Sequence, residues 1–290
     1  MIELPETFLA MPRWWSEGAE WLAGLPQAVD QQCDRWGLEI DGPLAHGSNA
    51  IAVQVSRAGQ PLVLRMSLPG PDVAGQAYAL RWWDGRGTVR LYDADLPHGA
   101  LLLERLGSSL LNEPVDEAMV VLGRLMRRLA VPAPSDVPST AANVSARAAE
   151  LETDWQRLGR PFEPSWLAEA LAIAPQLAET SSNLTANGDF HSEQVLRGAR
   201  EPWLVVDPVL YRGDPDCDLA RILWTRVDEM ANGAEIRDHF ATLVSEAELE
   251  PERARNWVVF RTVDYWLWGL NAGLTEDPER CRRILDAFLN

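Results

Sequence analysis

Thr185 to Pro208 reads "TANGDFHSEQVLRGAREPWLVVDP". Asp189 follows Gly188 on what the residues mark as a short loop. A side-chain amide, Gln194, stands five residues on. The apolar run "PWLVV" then ends on a second aspartate, Asp207, with Pro208 behind it. This is the layout of a phosphoryl-transfer site. A loop carboxylate can accept or orient the proton of an incoming hydroxyl. An amide oxygen and a carboxylate at a strand end can hold Mg2+ against phosphates. Each group alone is a weak signal, because a loop aspartate is more often a cap or turn residue. The ordered trio, with a strand between its second and third members, is much more specific.

The rest of the chain limits what that site can be. A length of 290 residues allows one large domain or two lobes, and 47% hydrophobic residues suffice for a sizeable core. No apolar run approaches the roughly 18 residues that span a bilayer, so no membrane partner is expected. The opening "MIELPETFLAMPRWW" lacks a basic start followed by an apolar block, which argues against a secretory signal. Cys33, Cys217 and Cys281 are odd in number and widely spaced. They read as free thiols in a reducing, cytoplasmic setting and not as a disulfide frame or zinc site. The net charge is −17, from 43 acidic and 26 basic residues. That disfavours a nucleic-acid partner, which needs a basic face. It would draw in a cationic small molecule, although solubility alone also explains it. All the basic residues are arginine, and lysine is absent. Most kinases hold ATP with a lysine, so its absence sets working kinase against lost chemistry.

Working outward, residues 14–36 read as helical with an interruption near Pro26. "LEIDGPLAHG", "AIAVQVSRAG" and "QPLVLRMSL" are short and partly alternating, an antiparallel meander with a turn at Ala58-Gly59. Residues 72–83 look helical, and "GTVRLYDAD" and "GALLLERL" supply two more strands. Beyond Leu106 the chain is mostly helical, with candidates at 114–130, 139–158, 165–179, 216–230, 234–246, 251–272 and 277–288. The one clear β insertion is 194–207. Thr275 is the expected N-cap of the last helix, with Pro278 in its first turn. "VPAPSDVPS" reads as a plain connector. The division is a β-rich part over 1–106 and a helical part over 107–290, an α+β pattern.

"NGDFHSEQVLRGAREPWLVVDPVLYRGDPDCDLA" resembles the aminoglycoside phosphotransferase family, and most closely its streptomycin 6-kinase and hydroxyurea phosphotransferase branch. The family pattern runs His-Gly-Asp-Leu-His, Asn-Val-Leu, Pro-Trp-Leu-x-Ile-Asp-Pro and Gly-Asp-Pro-x-x-Asp-Leu. Gly188, Asp189, His191, Val195, Leu196, Pro202, Trp203, Leu204, Asp207, Pro208, Gly213, Asp214, Pro215, Asp218 and Leu219 match it. "WLAGLP", "CDRWGL" and "LRWWDGRGTVRLYDADLPHGALLLERL" resemble other blocks, so the likeness runs from about Trp21 to Trp268. It implies a bilobal protein-kinase-like fold with a small β-rich N-lobe and a larger, mainly helical C-lobe. It also implies ATP and Mg2+ as cofactors. Asp189 becomes the catalytic base, and Asp207 with Gln194 the metal ligands. Glu104, Arg105 and Leu106 become the hinge that meets adenine. The loop "HGSNA", with Ser48 and Asn49, would cover the phosphates. Asp214 and Asp218 would fix the loop and helix beneath the site. On the C-terminal helices, Asp264 and Trp268, with His191 from the motif, would meet the acceptor. That acceptor is expected to be a hydroxyl-bearing, cationic small molecule. The bland alternative for the tryptophans there is core packing at helical spacing.

Four positions depart from the pattern. Arg65 stands where the family has its strand-three lysine, keeping the charge but with a planar fork. Gln76 is neutral where the acidic partner is expected, and Asp72 is a nearby substitute. Asn187 replaces the first His, and Gln194 replaces Asn. If these merely weaken the site, Lys at 65 and Asn at 194 should raise turnover. The alternative is a catalytically impaired kinase-fold protein that binds a ligand or partner. A monomer and a dimer both remain open.

Overall fold

The structure, a computed structural model, describes residues 2–11 and 18–290. Residues 14–17 of the expected first helix lie outside the described residues. The chain divides into two compact units: Met1–Gly107 with Gly198–Arg200, and Ser108–Arg197 with Glu201–Asn290.

The first unit opens with a short turn of helix, α1 (Glu6–Leu9), and a long one, α2 (Ala19–Trp36). Then come β1 (Glu39–His46), β2 (Ala50–Arg57), β3 (Gln60–Ser67), α3 (Pro71–Trp83), β4 (Leu91–Asp95) and β5 (Ala100–Glu104). The strands form one antiparallel sheet in the order β1-β2-β3-β5-β4. Alternation explains its core: Leu62, Leu64 and Met66 of β3 turn one way, with Val53 and Val55 of β2. Leu25, Val29 and Cys33 of α2 close the same core. That packing corrects the interruption expected near Pro26, because α2 runs through it unbroken. Leu25 and Val29, on either side of Pro26, are both fully buried. Their burial offsets the lost backbone bond, worth about 3 kcal/mol. Ala58 and Gly59 both take positive φ in the β2–β3 turn, as a tight hairpin requires.

The second unit holds α4 (Val115–Leu129), α5 (Thr140–Arg157), α6 (Pro164–Ala178), α7 (Leu219–Arg226), α8 (Gly233–Ala247), α9 (Pro251–Asn271) and α10 (Glu276–Leu289). Two small hairpin-like sheets interrupt them: β6 (Leu184–Asn187) with β9 (Leu210–Gly213), and β7 (Val195–Arg197) with β8 (Trp203–Val205). Helix ends follow their chemistry. Asp116 and Glu117 open α4 and Arg127 and Arg128 close it, matching the helix dipole. Asn232 caps α8 by accepting from the backbone of Ala234 and Glu235. Trp155, Trp166, Trp257 and Trp266 lie in one core with Phe162 and Phe260.

Several expectations change here. The β6–β9 pair adds a second insertion around 194–207. The 216–230 stretch is α7 flanked by two 3-10 turns, because Pro215 starts the segment and the backbone tightens at Val227–Glu229. Thr275 occupies the N-cap of α10 but its side chain makes no capping bond. The proline-rich connector is not a plain loop, since Pro132 and Ser139 form bridges to Leu184 and Arg212.

Candidate functional site

Strand β6 delivers the loop that carries Asp189. At its end Asn187 pairs with Leu210 of β9, and the Gly188 backbone N–H donates to Val209 O at 3.0 Å. A Cβ at Gly188 would come 2.4 Å from Cε2 of Tyr211, so only glycine fits there. The loop is pinned from within and from below. Oδ1 of Asn187 accepts from the N–H of Val209 at 2.9 Å and of Asp189 at 3.4 Å. Asp218, buried just before α7, accepts from the N–H of Asn187 at 3.1 Å and from that of Phe190. Burial raises the pKa of Asp218 well above the usual carboxylate range. Arg226, also buried, donates to Ser192 Oγ and Glu113 O under the loop's exit. Asp214 accepts from Thr180, Arg253 and the Trp257 indole, and so ties α9 to the end of β9.

The Asp189 carboxylate is held from two sides. Arg221 Nε of α7 lies 2.8 Å from Oδ1, and Gln194 Nε2 donates to Oδ2 at 2.9 Å. A carboxylate only accepts, so the Gln194 face toward Asp189 must be its NH2. The amide oxygen, Oε1, therefore points elsewhere, and it is buried with no hydrogen-bond partner. A buried acceptor without a donor costs stability unless something occupies it. A cation is a fitting occupant. The backbone O of Gln194 accepts from Val206 N at 2.9 Å, one residue before Asp207, which brings the Asp207 segment beside it. Asp207 itself is half-buried just past β8. Among the described residues no three His, Cys, Asp or Glu side chains converge on one point. Mg2+ needs no such cluster, since one or two carboxylates, waters and phosphates suffice. Gln194 and Asp207 thus fit that ion.

His191 is only 5% exposed, and its Nε2 lies 3.8 Å from Asp189 Oδ1, beyond a hydrogen bond. Burial, with the Arg221 charge, lowers its pKa to about 4, so it is neutral near pH 7.

Asp189 lines a cavity of about 530 Å3 within this unit. Helix α9 supplies one wall through Arg261, Asp264 and Trp268. Helix α5 adds Arg147 and α7 adds Arg221. Trp224, Tyr265 and Trp268 form a stack, with ring centroids 4.1 Å and 5.3 Å apart. A smaller space of about 60 Å3 shares Arg147, Gly188, Arg261 and Asp264. Asp264 is not open to a cation: Arg147 Nε donates to its Oδ1 at 2.7 Å. His191 is not part of the lining.

In the first unit, Ser48 and Asn49 sit in the β1–β2 turn, where Gly47 N donates to Ala50 O. Arg65 on β3 is 8% exposed and donates to Ser67 Oγ at 3.0 Å. It does not point into solvent. Gln76 is buried on α3 and Asp72 is exposed in that helix's first turn. Glu104 closes β5, accepting from Arg90 N and pairing with Arg200 at 3.1 Å. Arg105 donates to Leu62 O at 3.1 Å and reaches Val55 O and Asp41, a clamp on the sheet. Leu106 follows, half-buried.

Asp189, Gln194, Asp264 and Trp268 thus share one unit with the cavity, while His191 is buried away from its lining. The arginines are what the sequence reading missed. Arg261, Asp264 and Trp268 recur at helical spacing on α9, which was a usable signal, and Arg221 stands three residues after Asp218. Arg147 comes from a distant helix and carries no local sign.

Residues 35–273 match the family model described as aminoglycoside/hydroxyurea antibiotic resistance kinase. The chain is 35% identical over 282 residues to a hydroxyurea phosphotransferase of Kitasatospora aureofaciens, covering 94% of this chain and 81% of the relative. It is also 35% identical over 268 residues to the streptomycin 6-kinase of Streptomyces griseus, covering 89% and 87%. A thermostable variant of aminoglycoside phosphotransferase APH(4)-Ia, solved with ADP and hygromycin B, superposes with a TM-score of 0.62 at 18% identity. That match covers 90% of this chain and 98% of the other.

Proposed function

The chain belongs to the aminoglycoside/hydroxyurea antibiotic resistance kinase family, and from that premise we propose that it phosphorylates a hydroxyl of a small molecule, using ATP and Mg2+. Its fold is the kinase-like fold of the aminoglycoside phosphotransferases. The observation that carries the reading is the Asp189 carboxylate, on a cavity wall and fixed by Arg221 and Gln194.

In the reaction the acceptor oxygen bonds to the terminal phosphorus as the bond to the ADP oxygen breaks. Asp189 orients the hydroxyl and receives its proton. Gln194 Oε1 and Asp207 would hold Mg2+, which when bound offsets charge on the phosphates. Arg65 would clamp phosphates, with the Ser48–Asn49 turn offering backbone N–H groups. The backbone of Glu104 to Leu106 would meet adenine. The acceptor contacts Asp264's side of the cavity and the face of Trp268, which is 54% exposed. With Asp264 paired to Arg147, the expectation of a cationic acceptor rests on the net charge of −17 and the Trp268 face. Three buried, unpaired cysteines support a cytoplasmic location, and no helix among the described residues is long and apolar enough to cross a membrane.

The occupied state of Asp189 favours one second reading, a binding protein that keeps the fold without turnover. ADP release with hydroxylated acceptors, streptomycin and hydroxyurea among them, separates the two. Acceptor-dependent release lost in Asp189→Asn supports transfer. Acceptor binding with no release by the parent protein supports the second reading.

A further inference from the structure

Helix α1 is four residues long, too short to hold its shape alone. Glu6, Thr7 and Leu9 are exposed, and Phe8 is fully buried. Phe8 enters the core of the first unit with Ile51, Val53 and Leu64, and that burial fixes where α1 lies. Its ring also meets the His46 imidazole, with centroids 5.4 Å apart and planes tilted by 52°. His46 ends β1, pairs with Ile51 and opens the turn that carries Ser48 and Asn49. Both ring nitrogens of His46 are engaged. Nδ1 lies 3.0 Å from Gly47 O, and a carbonyl only accepts, so Nδ1 carries the hydrogen. In the neutral ring Nε2 is then an acceptor, and the Thr7 hydroxyl donates to it at 2.7 Å. The bond to Gly47 O also sets the next N–H. The Gly47–Ser48 peptide is trans and planar, so its C=O and N–H point in opposite directions. With the C=O turned to His46, the Ser48 N–H is turned away from the ring. Among the described residues none accepts a hydrogen bond from it.

We propose that α1 is a strap that readies this turn for nucleotide: Thr7 and Phe8 orient His46, and His46 fixes the Ser48 N–H in the direction that meets the phosphates of ATP. The three are positioning residues, since they act through the turn and not on the nucleotide. Backbone N–H groups of a turn suit phosphate oxygens. A donor already oriented loses less freedom on binding than one on a loose turn, and so binds more tightly. A neutral imidazole donates with one nitrogen and accepts with the other, which lets His46 join α1 to the turn. This deepens the phosphotransferase reading and rests on its assignment of the Ser48–Asn49 turn to the phosphates.

ATP and adenosine, which lacks phosphates, are titrated with Mg2+ present into the whole chain and its variants. In His46→Asn the side-chain NH2 stands as many bonds from the backbone as Nδ1 does. In His46→Gln it stands one bond further out. ATP affinity should fall roughly tenfold in His46→Gln and roughly threefold in Thr7→Val, within the worth of one hydrogen bond. His46→Asn should keep most of the ATP affinity, and adenosine should bind alike throughout. In backbone NMR relaxation of the nucleotide-free proteins, the Ser48 amide should be rigid in the parent and in His46→Asn and mobile in His46→Gln. Any of four results overturns the proposal: ATP affinity equal in parent and variants, equal losses in His46→Asn and His46→Gln, adenosine weakened along with ATP, or a Ser48 amide equally mobile in all. With ATP bound by the parent, those results leave the phosphotransferase reading standing. A parent chain that binds neither ligand overturns that reading, and the strap with it.

Discussion

The loop from Asn187 to Gln194 and the wall of the cavity beside it are built in opposite ways. The loop is made from neighbours in sequence. Asn187 caps Asp189, Gln194 reaches back to Asp189, and Asp218 holds the backbone from beneath. The wall is made from helices far apart in the chain, with Arg147 on α5 meeting Asp264 on α9 at 2.7 Å. The loop leaves one notable acceptor unmet, Gln194 Oε1, and the wall leaves Nε of Arg261 buried without a hydrogen-bond partner. The first suits a cation and the second any hydrogen-bond acceptor. The difference teaches that the loop is specified by neighbours in sequence, while the cavity wall is specified by how distant helices pair their charges.

The comparison breaks most visibly at Asp189. Asp189→Asn keeps the shape but removes proton acceptance, and should cut turnover roughly a hundred- to ten-thousandfold. ATP affinity, by calorimetry, should stay unchanged; a variant with near-parental turnover would place the chemistry elsewhere. Next comes the support beneath the loop. Asp218→Ala strips two backbone N–H groups of their acceptor and should cost about 1–3 kcal/mol in urea unfolding. A smaller loss would mean the loop holds itself. Gln194→Asn sharpens the local account. The shorter amide cannot keep its bond to Asp189 while presenting its oxygen as Gln194 does. Turnover should therefore fall about tenfold, for roughly 1.5 kcal/mol. A rise would show that Gln194 only weakens a family site, the opposite of its geometry here.

A pH-dependent effect lies in the floor, at Asp216. Burial, reinforced by Asp214 and Glu250 and opposed by Arg253, raises its pKa from 3.8 to about 7. Between those values the folded chain holds a proton that the unfolded chain has lost. This contribution to stability is therefore full below about pH 4 and lost as pH rises to about 7. Asp216→Asn should flatten that decline in denaturation midpoints taken across the window. An equally steep decline in the variant would assign it to other groups.

Much of the loop was legible because its chemistry is local. Asp189, Gln194 and Asp207 stand in an order that only a few sites share, and strands β7 and β8 followed from the apolar runs around Gly198. Helices α5, α6, α8 and α9 were visible in their periodicity to within a residue or two. The continuity of α2 through Pro26 was not, because propensity argues against it and only packing on the sheet decides otherwise. The pairing of β6 with β9 was hidden by its length, four residues each. The fate of Asp264 could not be read at all, because its partner Arg147 lies 117 residues away. The tryptophans divided as side-chain direction dictates, Trp257 and Trp266 into the core and Trp268 toward the cavity.

The most direct test is a calorimetric titration of ATP with and without Mg2+, with Asp207→Ala alongside. The account predicts binding that strengthens with Mg2+ and loses that gain in Asp207→Ala. ATP that fails to bind at millimolar concentration, or that binds alike with and without Mg2+ in both proteins, would contradict it.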